Sequence, residues 1–410
     1  MKIWLKLYIG AIVGIFLGLY LPDASGELGG FFLYLAGLVV RIGRYVLLPL
    51  VFFSLVITVY ELKLENKLFA VYWKTIVYAV LTSLGMIVLG TVLVSLFPPG
   101  RIPIIVEVNV PLEKPALKEL LYRIFPTSLF TIFTESSDFL LPLIVFAIFM
   151  GLTLTHNRNL FHSVVETCDS LSRLFYHMNS FITEFLFIGA IALAASMLLQ
   201  LRKAPEIGLF LKLFTVLGLF TLIIVFVIFP LLLYFLSGRK KPLDWMYAQL
   251  APAAGAFLSG DVYFSLGLLM RHAKESVGIP RRICAAAPPL LAVFTRGGSA
   301  MIMAMSFIVV LRSHSNLEIG FSQILWIIAA SFGLSFLLGA VPGFGAFVGL
   351  AMLSGMYGRE MEEGFLILRP VSILLVSMGA LLDTVCASFV TTLVSNSLRM
   401  TESGKKREMI

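Results

Sequence analysis

Apolar segments that are long enough to cross a lipid bilayer recur along most of this chain. A helix needs about 20 mostly apolar residues to span the hydrocarbon core. Segments of that kind lie at about 3–22, 31–60, 70–98, 139–156, 181–200 and 209–237. Charged residues make up only 13% of the 410 residues, about half their share in soluble domains. Because no long polar stretch divides these segments, we predict one all-α, polytopic membrane domain over residues 1–410.

Positive charge lies mainly between the apolar segments. The chain has 31 Lys and Arg against 23 Asp and Glu, a net charge of +8, and cations clustered beside membrane spans mark cytoplasmic loops. We therefore expect the lipid bilayer as a partner and no nucleic acid. Basic groups at 239–241 and 271–282 flank one segment on both sides, so both of its ends are predicted to be cytoplasmic.

Both chain ends are also predicted to be cytoplasmic, in a multi-pass protein of the cell membrane. The C-terminal tail, 399–410, is basic. The first apolar segment follows Met1 and Lys2 and ends at Pro22 without a small-residue cleavage site. We therefore predict a first helix there and not a removable signal.

One arginine and two glycines interrupt the apolar segment at 283–311, in the run Thr295-Arg296-Gly297-Gly298-Ser299. A guanidinium keeps its proton, so in a bilayer it must find a carboxylate, main-chain carbonyls or water. Glycine weakens a helix, and unwound backbone is tolerated at membrane depth only around a protein-lined cavity. The pattern predicts a broken helix at a binding site.

Two further segments are too irregular for straight helices. Residues 250–278 carry a proline and several glycines around Asp261, and residues 321–357 are interrupted by a Gly/Pro-rich run at 339–345. Paired discontinuous helices are typical of transporters, so we predict two re-entrant hairpins. Ordinary kinked helices, or short helix pairs joined by tight turns, are the alternative. We expect the tips, near Asp261 and Pro342–Gly345, to approach each other close to the bilayer midplane, with Arg296 and Asp383 between them.

No pattern of enzymatic or metal chemistry stands out. The three cysteines, Cys168, Cys284 and Cys386, lie in or near apolar segments and have no metal-ligand spacing. A nucleophile and base set is also missing, so we expect no enzymatic activity, no cofactor and no metal. A channel with a charged or carbonyl-lined pore, or a non-transporting membrane protein, stays open as an alternative.

Four short motifs occur in the order and spacing of one known family. They are Leu-Pro-Leu-Val-Phe-Phe-Ser-Leu at 48–55, Phe-Pro-Thr-Ser at 125–128 with Leu-Leu-Pro-Leu-Ile-Val-Phe-Ala at 140–147, Met-Arg-His-Ala-Lys-Glu at 270–275, and Val-Pro-Gly-Phe-Gly-Ala at 341–346. Together they make the chain similar to the glutamate transporter homologues, the dicarboxylate/amino acid:cation symporter family. The resemblance implies eight transmembrane helices plus two opposed hairpins, a homotrimer and an elevator mechanism. It also implies scaffold elements at about 1–60 and 139–200, and transport elements at about 70–98 and 209–398.

The departures from the family pattern fall on positions with chemical roles. Gly297 stands at an aspartate that helps hold sodium, and Val394 stands at a second one. Asp383 matches the aspartate that binds a substrate α-amino group. Cys386 replaces the arginine that reads an acidic side chain, and Val390 replaces the asparagine that holds the α-carboxylate. In the third helix a matching hydroxyl pair is kept, at Thr82 and Ser83.

These departures predict an elevator-type secondary transporter of a small amino acid that is sodium-independent, either proton-coupled or an exchanger. Glycine and valine offer neither charge nor the oxygen ligands that a hard cation prefers. Cys386 removes a carboxylate reader, which favours a neutral substrate. Arg296 would restore an acidic one, so a sodium- or proton-coupled symporter of acidic amino acids or dicarboxylates is the alternative.

Three deeply placed charges, Asp261, Arg296 and Asp383, sum to −1, which a substrate ammonium or a proton would neutralise. We expect Arg296 to substitute for sodium, paired with Asp261 or with carbonyls of the second hairpin. Asp261 is the candidate proton carrier, because burial disfavours a charged carboxylate. The candidate substrate-binding residues are Asp383, Cys386, Ala387, Val390, Arg296, Ser259, Asp261, Val341, Pro342, Gly343, Phe344 and Gly345.

Overall fold

The computed structural model describes residues 2–20, 27–103, 122–135, 138–204, 207–236, 242–314, 319–341, 343–358 and 361–400. Within these ranges every regular element is helical. Seven helical stretches are long and apolar enough to cross a membrane, which is the pattern of a multi-pass membrane protein. Pro342, the basic group at 239–241 and the tail from 401 lie outside the described residues.

The α-helices are α1 (Ile3–Tyr20), α2 (Glu27–Arg44), α3 (Leu47–Leu64), α4 (Leu68–Leu96), α5 (Leu129–Glu135), α6 (Leu141–Leu154), α7 (Arg158–Arg202), α8 (Leu211–Ile223), α9 (Phe229–Leu236), α10 (Pro242–Ser259), α11 (Val262–Glu275), α12 (Arg281–Phe294), α13 (Gly297–His314), α14 (Phe321–Ser335), α15 (Gly345–Tyr357) and α16 (Ser372–Ser397). One turn of π-helix, Ile224–Ile228, joins α8 to α9. Short 3-10 helices lie at Ile207–Phe210, Leu338–Ala340 and Gly364–Val371.

The segment predicted as one span at 31–60 is two helices, α2 and α3. Pro49 explains the break, because it has no N–H to donate to the carbonyl of Tyr45 and its ring excludes that carbonyl from a helical position. α2 ends just before this point, where the main-chain N–H of Tyr45 donates to the carbonyl of Ile42 at 3.1 Å. The break leaves Arg44 at the last position of α2.

One helix is much longer than a membrane crossing. α7 has 45 residues and so measures about 67 Å at 1.5 Å per residue, whereas the sequence predicted a span only at 181–200. Asn157 caps its start by accepting a hydrogen bond from the main-chain N–H of Leu160 at 3.3 Å. α1 and α2 both pack along α7.

The three predicted interruptions are present. α12 ends at Phe294 and α13 begins at Gly297, so Thr295 and Arg296 lie between helices. Between α10 and α11 lies Gly260 with φ of +65°, a conformation that glycine adopts without the steric cost of a Cβ. α14 and α15 are separated by residues 336–344. Neither irregular segment is therefore one continuous helix.

α13 is the central helix of the described structure. Every residue from 297 to 311 is buried, and the helix packs against α4, α14, α15 and α16. A helix that is apolar on all sides belongs in an interior, so this packing follows from its sequence. The break before α13 consequently places Arg296 inside the protein.

Candidate functional site

Arg296 is fully enclosed by protein, with 1% of its surface exposed. Its Nε donates to Oδ2 of Asp383 at 3.0 Å, and its Nη1 donates to the carbonyls of Leu338 and Val341 at 3.0 and 2.9 Å. The main-chain N–H of Arg296 donates to the carbonyl of Ser335 at 3.3 Å. One guanidinium thus joins the break before α13 to α16 and to the connection between α14 and α15.

Asp383 receives hydrogen bonds on both carboxylate oxygens. The main-chain N–H of Ser299 donates to Oδ1 at 2.9 Å. Oδ2 accepts from Oγ of Ser299 at 2.5 Å and from Nε of Arg296. A buried carboxylate requires this combination of a counterion and further hydrogen bonds. Ser299, which the sequence showed only as the end of the arginine–glycine run, is therefore a direct partner of the carboxylate.

Glycines allow the backbone to approach this ion pair closely. A Cβ added at Gly298 would lie 2.4 Å from Cβ of Leu382 on α16, and one added at Gly345 would lie 2.9 Å from Nη1 of Arg296. Neither position has room for a larger side chain without movement. The two glycines therefore set how near α13 and α15 come to the buried charges.

Asp261 forms its ion pair with Arg44 of α2. Only 2% of Asp261 is exposed, and its Oδ1 also accepts from the main-chain N–H of Tyr263 at 2.8 Å, which caps α11. Arg44 reaches Asp138 as well, at 3.3 Å. The sequence had left Asp261 as one of two possible partners of Arg296. The salt bridge of Arg296 is instead with Asp383.

Arg44 also changes the charge balance of this region. The sequence-based sum of −1 counted three charges, and adding Arg44 brings the pairs Arg296–Asp383 and Arg44–Asp261 to zero; Asp138, which also contacts Arg44, is largely exposed and is left out of this sum. The sequence does contain a signal for Arg44, because an arginine within an apolar span is energetically costly and indicates a functional role or a charged partner. Arg44 was absent from the residues predicted from the sequence, because it lies near the middle of a segment that was predicted to be one apolar span.

Tyr263 connects the two irregular segments. Its hydroxyl donates to the carbonyl of Gly339 at 2.9 Å and accepts from the main-chain N–H of Leu140 at 3.3 Å. The guanidinium of Arg44 lies 5.6 Å from the centre of its ring. The start of α11 and the connection before α15 are therefore in direct contact.

The remaining candidate residues lie on α16, at the end of α10, in the connection before α15 and at the start of α15. Cys386, Ala387 and Val390 are buried on α16, where Cys386 follows Asp383 by one turn. Ser259 donates from Oγ to the carbonyl of Gly255 at 2.7 Å, so it shapes the end of α10. The residues of the last connection are placed as follows: Val341 and Gly343 half-buried, Phe344 exposed and Gly345 buried.

The position that carries a sodium aspartate in the family pattern has no room for a side chain. A Cβ added at Gly297 would lie 2.6 Å from Oγ of Ser83 and 2.7 Å from its Cα. Ser83 is fully buried on α4, while the neighbouring Thr82 donates its hydroxyl to the carbonyl of Tyr78 at 2.6 Å. α4 and α13 therefore touch where the family resemblance implies an ion.

Gly297→Ala is expected to destabilise the protein by about 1–3 kcal/mol, the usual cost of overpacking a tight contact. The midpoint of unfolding of the purified protein measures this. Gly85→Ala is the matched control on α4, because no atom lies within 4 Å of an added Cβ there. Equal stability of Gly297→Ala and the original protein would show that a Cβ fits between α4 and α13, and would remove this steric argument against a carboxylate there.

The sequence matches a known family and several curated relatives. The model of the sodium:dicarboxylate symporter family matches residues 3–397. Excitatory amino acid transporter 1 of Homo sapiens is 25% identical over 205 residues, which is 50% of this chain and 38% of that protein. Neutral amino acid transporter A of Homo sapiens is 23% identical over 213 residues, again 50% and 38%. The C4-dicarboxylate transport protein of Deinococcus radiodurans is 22% identical over 422 aligned residues, 97% and 90%.

The chain covers about two fifths of the length of the human relatives. These relatives are named as transporters of different substrates, so the similarity indicates transport without indicating one substrate. At the level of the family, the expectation of a transporter and not an enzyme is confirmed. The match covers the break at Arg296, both irregular segments and Asp383, and the chain belongs to the sodium:dicarboxylate symporter family.

Proposed function

We propose that this protein is an elevator-type secondary transporter of a small neutral amino acid that works without sodium. The carrying observation is the guanidinium of Arg296, held by the carboxylate of Asp383 and by the carbonyls of Leu338 and Val341. Carboxylate and carbonyl oxygens are ligands that a hard cation would otherwise take. A permanently charged side chain organises them with no ion from solution.

Two apolar positions support sodium independence. Gly297 lies against Ser83 with no room for a carboxylate. Val394 is fully buried on α16 and offers no oxygen ligand. Because this fixed cation cannot travel down a gradient, transport is either coupled to another ion or not coupled to an ion at all. Arg44 already compensates the charge of Asp261, so we favour exchange over proton coupling.

Charge balance supports a neutral, zwitterionic substrate. The pairs Arg296–Asp383 and Arg44–Asp261 sum to zero, and a zwitterion adds no net charge. Its ammonium would bind Asp383 and its carboxylate would bind Arg296 as the two side chains separate. A dicarboxylate would leave two negative charges uncompensated in an interior where an unpaired charge is costly.

The elevator part of the proposal divides the helices into two groups. The scaffold group is α1–α3, α6 and α7, and the transport group is α4 and α8–α16. Polar contacts join the groups: Arg281 of α12 binds Asp169 of α7 at 2.8 Å, and Arg282 binds Glu61 of α3 at 2.6 Å. Arg282 also contacts Glu65, and its guanidinium lowers the pKa of that carboxyl. Movement of one group along the other would have to break these pairs.

Re-entrant hairpins, a homotrimer and cytoplasmic chain ends complete the proposal. The breaks between α10 and α11 and between α14 and α15, linked by Tyr263, support the hairpins. Membership of the family supports the trimer, and the placement of basic residues in the sequence supports the orientation.

The test is ligand binding to the purified protein, measured by thermal shift in choline buffer and in sodium buffer. A neutral amino acid is expected to raise the unfolding midpoint equally in both buffers, and acidic amino acids and dicarboxylates are expected not to. An affinity that rises about tenfold per decade of sodium, about 1.4 kcal/mol, would overturn sodium independence. A preference for acidic ligands would favour the alternative symporter.

Transport itself is tested by counterflow in proteoliposomes. Saturable, stereoselective counterflow of the ligand found by thermal shift is expected. A channel would give neither saturation nor counterflow, because its pore is lined by charges or carbonyls that do not close on a substrate. Flux without those properties would therefore refute the transporter mechanism while leaving family membership intact.

A further inference from the structure

A cavity of about 120 Å³ lies between α1 and helices of the transport group. Its walls include Tyr8 of α1, Thr221 of α8, Gln249 of α10 and Leu381 of α16. These lining residues differ from the candidate substrate residues. The cavity is therefore lined by different residues from those of the Arg296 site.

Two buried polar side chains in this lining have unmet hydrogen-bonding groups. Gln249 is 2% exposed, and both its Nε2 and its Oε1 lack a partner among the described residues. Thr221 is 6% exposed, and its Oγ1 also lacks a hydrogen-bond partner among the described residues. Trp245, which also lines the cavity, already donates its indole N–H to Oγ of Ser388 at 3.1 Å. A buried polar group without a hydrogen-bond partner is costly, and an occupant that bonds to these groups would offset that cost.

We propose that this cavity binds a small uncharged molecule with an apolar body and one carboxamide-like group that both donates and accepts. A carboxamide can exchange two hydrogen bonds with the amide of Gln249, and the hydroxyl of Thr221 supplies a third. The other described lining residues are mainly apolar and none is charged, so an ionic ligand would be uncompensated. An apolar cavity of about 150 Å³ holds a benzene ring. This one, of about 120 Å³, opens at the protein surface, where Leu222 and Phe226 of its lining are exposed, so part of a one-ring ligand can lie outside it.

The occupant would also affect movement, a consequence that rests on the proposed function. Tyr8 belongs to the scaffold group, whereas Thr221, Gln249 and Leu381 belong to the transport group. A molecule that contacts both groups stabilises the relative position of the two groups seen here, in which Tyr8 faces the residues of the transport group across the cavity. We therefore infer that binding here slows exchange between transport states.

Benzamide is the probe, tested on the full-length purified protein by thermal shift and equilibrium dialysis. We expect saturable binding that is about tenfold weaker in Gln249→Leu, the result of losing hydrogen bonds worth about 1.4 kcal/mol. Gln200→Leu is the matched control, because Gln200 is exposed on α7 and its loss is expected to leave binding unchanged. Without probe, Gln249→Leu is expected to unfold no earlier than the original protein, since it removes two unmet groups.

Two outcomes overturn the site. One is equal benzamide binding to the original protein and to both Gln249→Leu and Thr221→Val, which indicates partitioning into detergent. The other is binding of toluene as tight as that of benzamide, which indicates an apolar cavity without polar recognition. If benzamide binds through Gln249 but does not slow counterflow, the site stands and the inferred effect on exchange between transport states is wrong.

Discussion

Arg296→Ala is expected to destabilise the folded protein by about 3–5 kcal/mol, the usual cost of leaving one member of a buried ion pair alone. The substitution removes the counterion of Asp383 and the donor to the carbonyls of Leu338 and Val341. The free energy of unfolding in detergent measures the loss. Substrate binding in choline buffer is expected to fall at least about 100-fold with it, because each 1.4 kcal/mol is tenfold in affinity.

The double variant Arg296→Ala with Asp383→Asn separates charge from packing. Both charges are then gone, so the two changes together are expected to cost less than the sum of each alone. Arg296→Lys keeps the charge without the fork of donors and is expected to fall between the original protein and Arg296→Ala. Full stability of Arg296→Ala would mean that Asp383 has another counterion.

The same variant tests whether the guanidinium substitutes for an ion. Removing it leaves the carboxylate of Asp383, the hydroxyl of Ser299 and two main-chain carbonyls around an emptied position. Those oxygens suit a hard cation, so Arg296→Ala is expected to bind substrate better in sodium than in choline. Identical weak binding in both buffers would limit Arg296 to a role as counterion and packing group.

Arg271→Gln is expected to speed exchange between transport states by about tenfold or more. Arg271 of α11 donates from Nη1 to the carbonyl of Ser180 at 2.8 Å and to Oγ1 of Thr183 at 2.7 Å, and from Nη2 to Glu184 at 3.0 Å. All three partners lie on α7, in the proposed scaffold group. Hydrogen bonds to charged groups contribute about 1.5–3 kcal/mol each, so their loss favours separation of the groups. The initial rate of counterflow measures the change.

Arg173→Gln is the matched control for that prediction. Arg173 is exposed, and its Nε donates to Asp169 of the same helix at 3.0 Å, so it meets the transport group only through that carboxylate, which Arg281 of α12 continues to bind when Arg173 is replaced. Its removal is expected to change the counterflow rate by less than about twofold, consistent with the small contribution of exposed pairs. A slower rate in Arg271→Gln with unchanged substrate binding would mean that Arg271 supports movement instead of opposing it.

The helical elements and the places where they break follow from the amino-acid sequence alone. Apolar length predicted the membrane spans, and glycine and proline predicted the breaks at Gly260, at Thr295–Arg296 and before Gly345. These are local properties, because a residue carries its own backbone preferences and burial tendency with it. The break between α2 and α3 is equally local, because it follows from the missing N–H donor of Pro49, but it was not among the predicted breaks.

Only the tertiary structure decided which charges meet. The sequence supplied Arg296, Asp261 and Asp383, but it left the partner of Arg296 open and omitted Arg44. Spacing along a helix defines a face but not the neighbour of that face, which depends on how helices rotate and cross. Here the close packing of Gly298 on Leu382 brings α13 to α16, and that contact places the guanidinium and the carboxylate at hydrogen-bonding distance.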